Sequence, residues 1–267
     1  MTLLQAIVLG LVQGLSEFLP ISSSAHLTLT PWLFGWEDPG LAFDVALHVG
    51  TLVAVAWYFR RDWVALTRSA IGIIRQRAVR TPDEWRVVFL IIATIPAGIV
   101  GFTIEDVAES TLRSPWIVAT TLIVMGVILW LADQLAPRDR LLGTMRTRDA
   151  LLVGIAQAFA LIPGVSRSGA TITGARLLGF DRQSAAVFSF LMSFPIIGAA
   201  AVLKAPDAVQ GSGPALPLIA GVTTAALSSW LAIAVLLRFV TQHSYGIFAL
   251  YRVLLGAGTL VLLALRG

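Results

Sequence analysis

Apolar residues run along this chain in long blocks. Six of the blocks approach the roughly 20 residues that a helix needs to cross about 30 Å of hydrocarbon: 42–59, 87–104, 115–133, 184–203, 215–238 and 246–265. Two further blocks, 3–35 and 151–180, are broken in the middle by Pro, Gly and serines, F-L-P-I-S-S-S-A-H in the first and I-P-G-V-S-R-S-G-A-T in the second. Each half is only about 10–15 residues long, too short to span. A helix–loop–helix of this kind enters a membrane and turns back where its exposed backbone is buried in protein or lines a wet cavity. The pattern therefore predicts an all-α polytopic membrane protein of six transmembrane helices and two re-entrant helix–loop–helix hairpins. The alternative for each interrupted block is one proline-kinked span.

The two interrupted blocks resemble each other. Sliding the sequence by 144 residues aligns Gly10 with Gly154, Gln13 with Gln157, Ser22 with Ser166 and Ser24 with Ser168. It also aligns Leu33 with Leu177, Gly35 with Gly179 and Ala42 with Ala186. This marks an internal repeat within a single integral membrane domain, with one copy at about 3–133 and the second at about 151–265. If the first hairpin returns to the side it came from, three spans separate it from the second. Three is odd, so the second hairpin enters from the opposite face and the repeat is inverted. Such an arrangement sets two broken helices face to face near the midplane.

Composition agrees. Of 267 residues, 57% are hydrophobic and 13% charged, against about 25% charged in a soluble domain. The mean hydropathy is +0.84, and so few polar side chains do not cover a water-exposed surface. There are no cysteines, which excludes disulfides and thiol chemistry, and the three histidines are too scattered for a multi-histidine zinc site. No Lys or Arg precedes Arg60, so the basic start of a cleavable signal peptide is not expected.

A net charge of +4 and a pI near 10.3 suggest nucleic acid until the charges are located. Arg60, Arg61, Arg68, Arg75, Arg77, Arg80 and Arg86 share the 60–86 loop, which the positive-inside rule makes cytoplasmic. The same topology puts Arg138, Arg140, Arg146, Arg148, Arg176, Arg182 and Arg238 inside, and only Arg113, Lys204 and Arg266 outside. That is 14 against 3, with Arg167 and Arg252 in the membrane zone. The acidic Glu105, Asp106 and Glu109 fall outside. The basic charge is topological, and no nucleic-acid partner is expected.

Ionisable groups inside a membrane protein cost about 2.5–3.5 kcal/mol each on insertion scales, which makes them functional candidates. In the first hairpin Gln13 and Glu17 share one helical face, followed by Ser22, Ser23, Ser24 and His26. The second supplies Ser166, Arg167, Ser168 and Thr171, with Gly164 and Gly169 around the arginine. Hydroxyls, free amides, a helix N-terminus and a bidentate guanidinium together describe a phosphate cradle. Across from it, the Glu17 carboxylate offers a place for a divalent cation, Mg2+ or Ca2+, that bridges phosphate oxygens. The bland alternatives are an N-cap for the serines and a structural ion pair between Glu17 and Arg167. Asp44 and His48, four residues apart at the outer end of a span, read as a structural pair or as help for the site. Arg252 reads as neutralising a carboxylate or carbonyl with no identifiable partner. Ser189 and Ser193 read as satisfying backbone groups freed by Pro195.

The segment G-L-V-Q-G-L-S-E-F-L-P-I-S-S-S-A-H, Gly10 to His26, resembles the first signature of the undecaprenyl-pyrophosphate phosphatases, the bacitracin-resistance proteins, and P-G-V-S-R-S-G-A-T, Pro163 to Thr171, resembles their second. The resemblance implies metal-dependent hydrolysis of undecaprenyl diphosphate to the monophosphate carrier and inorganic phosphate, at the outer face of the bacterial plasma membrane. It also implies a part in peptidoglycan synthesis and in tolerance of bacitracin. Glu17, Ser23, His26 and Arg167 become the expected catalytic residues, with Ser23 or a water as nucleophile and His26 as base or acid. Ser22, Ser166, Arg167, Ser168 and Thr171 become the expected phosphate ligands, and Glu17 with Gln13 the metal ligands. Family members carry Glu or Gln at the place of Gln13, so this chain brings one carboxylate to a metal there. A serine run with Thr and Gly is common in the family where this chain has Ser24 and Ala25. The expected partners are a prenyl diphosphate lipid and membrane lipids, with a homodimer left open. The competing reading is a lipid-phosphate or anion transporter, or flippase, built on the same inverted-repeat site.

Overall fold

The computed structural model describes residues 1–109, 114–211 and 215–266. Arg113 and the side chains of Glu105, Asp106, Glu109 and Lys204, which entered the charge count, lie outside the described residues. Regular structure among the described residues is helical, apart from one isolated bridge between Arg140 and Phe180.

The first interrupted block forms α1 (Leu3–Phe18) and α2 (Ser23–Phe34). The next elements are α3 (Leu41–Tyr58), α4 (Arg60–Gln76), α5 (Pro82–Glu109) and α6 (Pro115–Leu135). The second interrupted block forms α7 (Thr147–Ala158) and α8 (Arg167–Leu177), and α9 (Arg182–Gly211), α10 (Ala215–Phe239) and α11 (Gly246–Arg266) complete the chain.

Among the described residues, five helices are long and apolar enough to cross a membrane: α5 over Pro82–Thr103, α6, α9 over Arg182–Leu203, α10 and α11. The sixth expected span coincides with α3, which runs into α4 through a bend of 83°. The protein is thus an all-α polytopic membrane protein.

Local chemistry explains the helix starts. Thr2 and Gln5 form a reciprocal capping box on α1. Thr81 and Glu84 do the same for α5: Glu84 accepts from the Thr81 amide at 2.8 Å, and Thr81 accepts from the Glu84 amide at 3.2 Å. Pro115 opens α6, where a missing N–H costs nothing.

The 60–86 segment, expected as a loop, is mostly helix. Its arginines mask an amphipathic pattern in which Leu66 is buried while Arg61 and Arg68 stay exposed. The helix α4 packs on α5, and the chain needs only the short link 77–81 before α5 begins.

Packing is paired across the two halves of the chain. The helix α1 lies chiefly on α10 and α7 on α5, while α3 meets α9 and α6 meets α11. The aligned glycines explain the first two contacts. A Cβ at Gly10 would fall 2.4 Å from the carbonyl oxygen of Gly221, and one at Gly154 would fall 2.5 Å from that of Ala93. Neither crossing has room for a side chain.

One end of the bundle is tied by a buried ion cluster. Asp133, at the end of α6, is fully buried, as is Arg176 on α8. Asp133 accepts from Arg176 Nε at 3.0 Å, Arg182 Nη2 at 2.8 Å and the Tyr245 amide at 3.0 Å. Arg176 also donates to the carbonyls of Ala136, Pro137 and Phe180. The cluster joins α6, α8, α9 and the start of α11. Replacing Asp133 by Ala leaves two guanidinium groups without their carboxylate, and breaking a buried pair costs about 3–5 kcal/mol. Asp133→Ala should therefore lower the midpoint of thermal unfolding in detergent markedly, and an unchanged melting curve would show that the cluster carries no stability.

Candidate active site

The two breaks are built alike. Both Ser22 (φ 77°) and Ser166 (φ 74°) adopt the positive φ that L-residues avoid, which costs about 1–3 kcal/mol each. Each then caps the helix that follows. Ser22 Oγ accepts from the Ala25 amide at 3.4 Å, and Ser166 Oγ accepts from the Gly169 amide at 3.0 Å. In each break the capping hydroxyl lies 3.2 Å from the serine two residues on, Ser24 in the first and Ser168 in the second. The sharp turn starts a new helix, so that α2 begins at Ser23 and α8 at Arg167. Two of the catalytic candidates, Ser23 and Arg167, therefore sit at the positive end of a helix dipole, where anions are favoured. Ser168 Oγ joins the breaks by donating to the Leu19 carbonyl at 3.1 Å.

Glu17, one residue from the end of α1, is the centre of the site and only 5% exposed. One carboxylate oxygen, Oε1, accepts from Arg167 Nη2 at 3.0 Å. The other, Oε2, accepts from Ser23 Oγ at 2.6 Å and from Gln13 Nε2 at 3.1 Å. His48 Nε2 lies 3.5 Å from that same oxygen. Arg167 is held from its other side by the Ser189 carbonyl at 2.9 Å and lies over the Phe18 ring. Its Nε is buried with no hydrogen-bond partner. A short hydrogen bond from Ser23 to a buried carboxylate is the geometry in which a hydroxyl proton has somewhere to go.

The structure thus brings Gln13, Glu17, Ser23 and Arg167 together. His26 is turned elsewhere. Its Nδ1 lies 2.6 Å from the Ser22 carbonyl oxygen and its Nε2 lies 2.7 Å from the Tyr251 hydroxyl. Its ring stacks on Tyr251 and lines an apolar cavity of about 580 Å³ with Leu15, Leu19 and Phe248. The hydroxyls of the phosphate-ligand candidates have protein partners: Ser22 and Ser166 cap helices, Ser168 holds Leu19, and Thr171 donates to the Arg167 carbonyl at 2.8 Å.

Two residues gain importance beyond the sequence reading. His48 faces Glu17 with one nitrogen, while its other lies 2.7 Å from the Asp44 backbone oxygen. Ser189 lies 2.7 Å from the Thr171 hydroxyl and offers Arg167 its carbonyl. The sequence signal for His48 is its spacing four residues from Asp44 at the outer end of a span, which reads as a structural pair or as help for the site. Ser189 is marked in the sequence only by its nearness to Pro195, and nothing there marks its contact to Arg167, which is made by backbone.

The donors suit a hard cation that takes most of its ligands from a substrate. Among the described residues no three His, Asp, Glu or Cys side chains converge into an all-protein metal cage. Gln13 Oε1, however, is buried with no partner beside the single carboxylate of Glu17. A single carboxylate completed by substrate phosphate oxygens and waters suits Mg2+, and an amide oxygen is a ligand that Ca2+ accepts.

The whole chain is similar to known proteins. The family model described as "Bacitracin resistance protein BacA" matches residues 6–258. A protein of Gemmatimonas aurantiaca named undecaprenyl-diphosphatase is 59% identical over 266 residues, covering 100% of both chains. Proteins of the same name from Desulforudis audaxviator and Moorella thermoacetica are 49% and 51% identical, with 98% and 96% of each chain covered.

Proposed function

The chain belongs to the bacitracin resistance protein BacA family, and we propose that the Glu17–Ser23–Arg167 centre is where it performs that family's reaction. The activity is dephosphorylation of undecaprenyl diphosphate, which returns the monophosphate lipid carrier to cell-wall synthesis and underlies bacitracin resistance. The observation that carries the site assignment is the buried carboxylate of Glu17 between a hydroxyl and a guanidinium, at the start of two helices.

The terminal phosphate enters between the N-termini of α2 and α8. Arg167 turns its fork, including the unpartnered Nε, onto the phosphate oxygens, where charge spreads in the transition state. Ser23 Oγ, or a water in its place, attacks phosphorus and passes its proton to Glu17 Oε2. The bond from phosphorus to the bridging oxygen breaks, and undecaprenyl phosphate leaves. If Ser23 is the nucleophile, water then cleaves the phosphoserine, so that either route consumes one water and yields one inorganic phosphate. His48, beside Glu17 Oε2, is placed to share the proton. His26, bonded to Tyr251, holds the first turn of α2 and faces the apolar cavity beside the site.

Glu17 and Gln13 would hold a divalent cation, Mg2+ or Ca2+. When bound, it would neutralise diphosphate charge that Arg167 alone leaves uncompensated.

The protein is a multi-pass membrane protein. The arginine distribution supports placing α4 on the cytoplasmic side of the bacterial plasma membrane. The matched breaks and paired packing support two inverted copies, with the first interrupted helix opening to the exterior.

Purified Arg167→Lys should fold but lose most phosphate release, because a point ammonium does not reproduce a planar fork on phosphate. Turnover near wild type would make Arg167 a structural counter-ion. Sidedness is checked by single cysteines, each the only thiol present. A cysteine at Asp38 should react with an impermeant maleimide in intact cells, whereas cysteines at Gln76 and Gln183 should react only after the membrane is opened. Labelling of Asp38 and Gln183 from the same side would contradict the inverted arrangement.

A further inference from the structure

Arg252, on α11, is fully buried and touches both breaks. Its Nη1 donates to the Pro20 carbonyl at 3.1 Å, two residues before Ser22. Its Nη2 donates to the carbonyls of Gly164 at 2.8 Å and Val165 at 2.9 Å, immediately before Ser166. Its Nε donates to the Leu122 carbonyl of α6 at 3.4 Å. Among the described residues its hydrogen-bond partners are all backbone carbonyls. A helix break inside an apolar interior leaves such carbonyls without partners, and a planar five-donor group answers several at once.

The strained serines give this contact its meaning. A residue at φ near +75° keeps that conformation only where its surroundings fix it from several sides. The carbonyls that Arg252 grips lie one or two residues ahead of Ser22 and Ser166, and those two residues aim Ser23 and Arg167. Two neighbouring contacts point the same way. Tyr251 is hydrogen-bonded to His26 on α2, and a Cβ at Gly169, in the first turn of α8, would fall 2.6 Å from Arg252 Nη1.

We propose that Arg252 is a positioning residue: by bridging the carbonyls ahead of both breaks, it sets the separation between Ser23 and Arg167. It touches neither of the reacting groups. The proposal rests on the reading of Ser23 and Arg167 as the hydrolytic pair, and it predicts a geometric effect that does not depend on that reading. Lysine does not substitute, because one ammonium on a flexible stem does not span carbonyls on two segments.

The test uses paired spin labels in the cysteine-free chain, at exposed Ser24 and Phe159 beside the two breaks, with a control pair at exposed Ile99 and Leu227 on α5 and α10. In Arg252→Lys the Ser24–Phe159 distance distribution should broaden or shift while the control pair stays as in the parent. The same protein should lose about a hundredfold in kcat, the scale of effect expected when reacting groups move by about 1 Å, with a much smaller change in KM. Gly169→Ala is the second variant. It keeps Arg252 but drives a methyl against Nη1, and it should move the same distance. A sharp, parental distance in both variants overturns the proposal, even where turnover falls. So does an Arg252→Lys protein that fails to fold while Gly169→Ala leaves the distance unchanged. Failure of the parent protein to release phosphate would instead strike the hydrolytic reading, while the distance measurement still reports on Arg252.

Discussion

Backbone that leaves a helix inside an apolar molecule must find hydrogen-bond partners, because there is little water to supply them. This chain interrupts two helices in its interior, and much of its unusual structure answers that demand. The freed amides go to Ser22 and Ser166. The freed carbonyls go to Arg252, to Ser168, and to Thr121, which donates to Pro163 at 2.7 Å. The glycines at the α1–α10 and α7–α5 crossings let the interrupted helices approach their neighbours closely enough for packing to hold the breaks in place. What is left over at the breaks, two positive helix ends and a few side chains, is the site.

That origin explains why the site is both anionic and cationic at its centre. A lone carboxylate buried to this extent would be costly. Glu17 is tolerated because Arg167, Ser23 and Gln13 all donate to it. On the proposed reading, a bound diphosphate competes with Glu17 for Arg167 and frees the carboxylate that also faces the Ser23 hydroxyl. The Glu17–Arg167 ion pair is compatible with both the structural and the proposed functional reading, since Arg167 engages one carboxylate oxygen and Ser23 the other.

Much of the architecture was legible in the sequence, because it depends on length and periodicity. The interrupted blocks stood out through misplaced Pro, Gly and Ser, and the long spans through unbroken apolar runs. Glu17, Ser23 and Arg167 were legible as ionisable or nucleophilic groups at those interruptions. The helix α4 was hidden because its arginines outweigh its apolar stripe in any simple hydropathy reading. His26 drew attention as a histidine following serines, yet one turn of helix carries its ring to Tyr251. His48, on a helix far along the chain, supplies the imidazole that faces Glu17. Arg252 was legible as a buried cation for a carboxylate or carbonyl, but which carbonyls it meets was not, and the contact of Ser189 to Arg167 was hidden because it runs through a backbone carbonyl that no pattern marks.

The claim at the centre of this account is that the carboxylate of Glu17 takes part in cleaving the diphosphate. The most direct measurement is release of inorganic phosphate from undecaprenyl diphosphate by purified protein in detergent with Mg2+ present, comparing the parent chain with Glu17→Gln. The substitution keeps the size of the side chain and an acceptor for Arg167 while removing the carboxylate proposed as proton acceptor and metal ligand. The account predicts rapid release by the parent and essentially none by Glu17→Gln, with both proteins unfolding in a single thermal transition. Equal release by the two would contradict it.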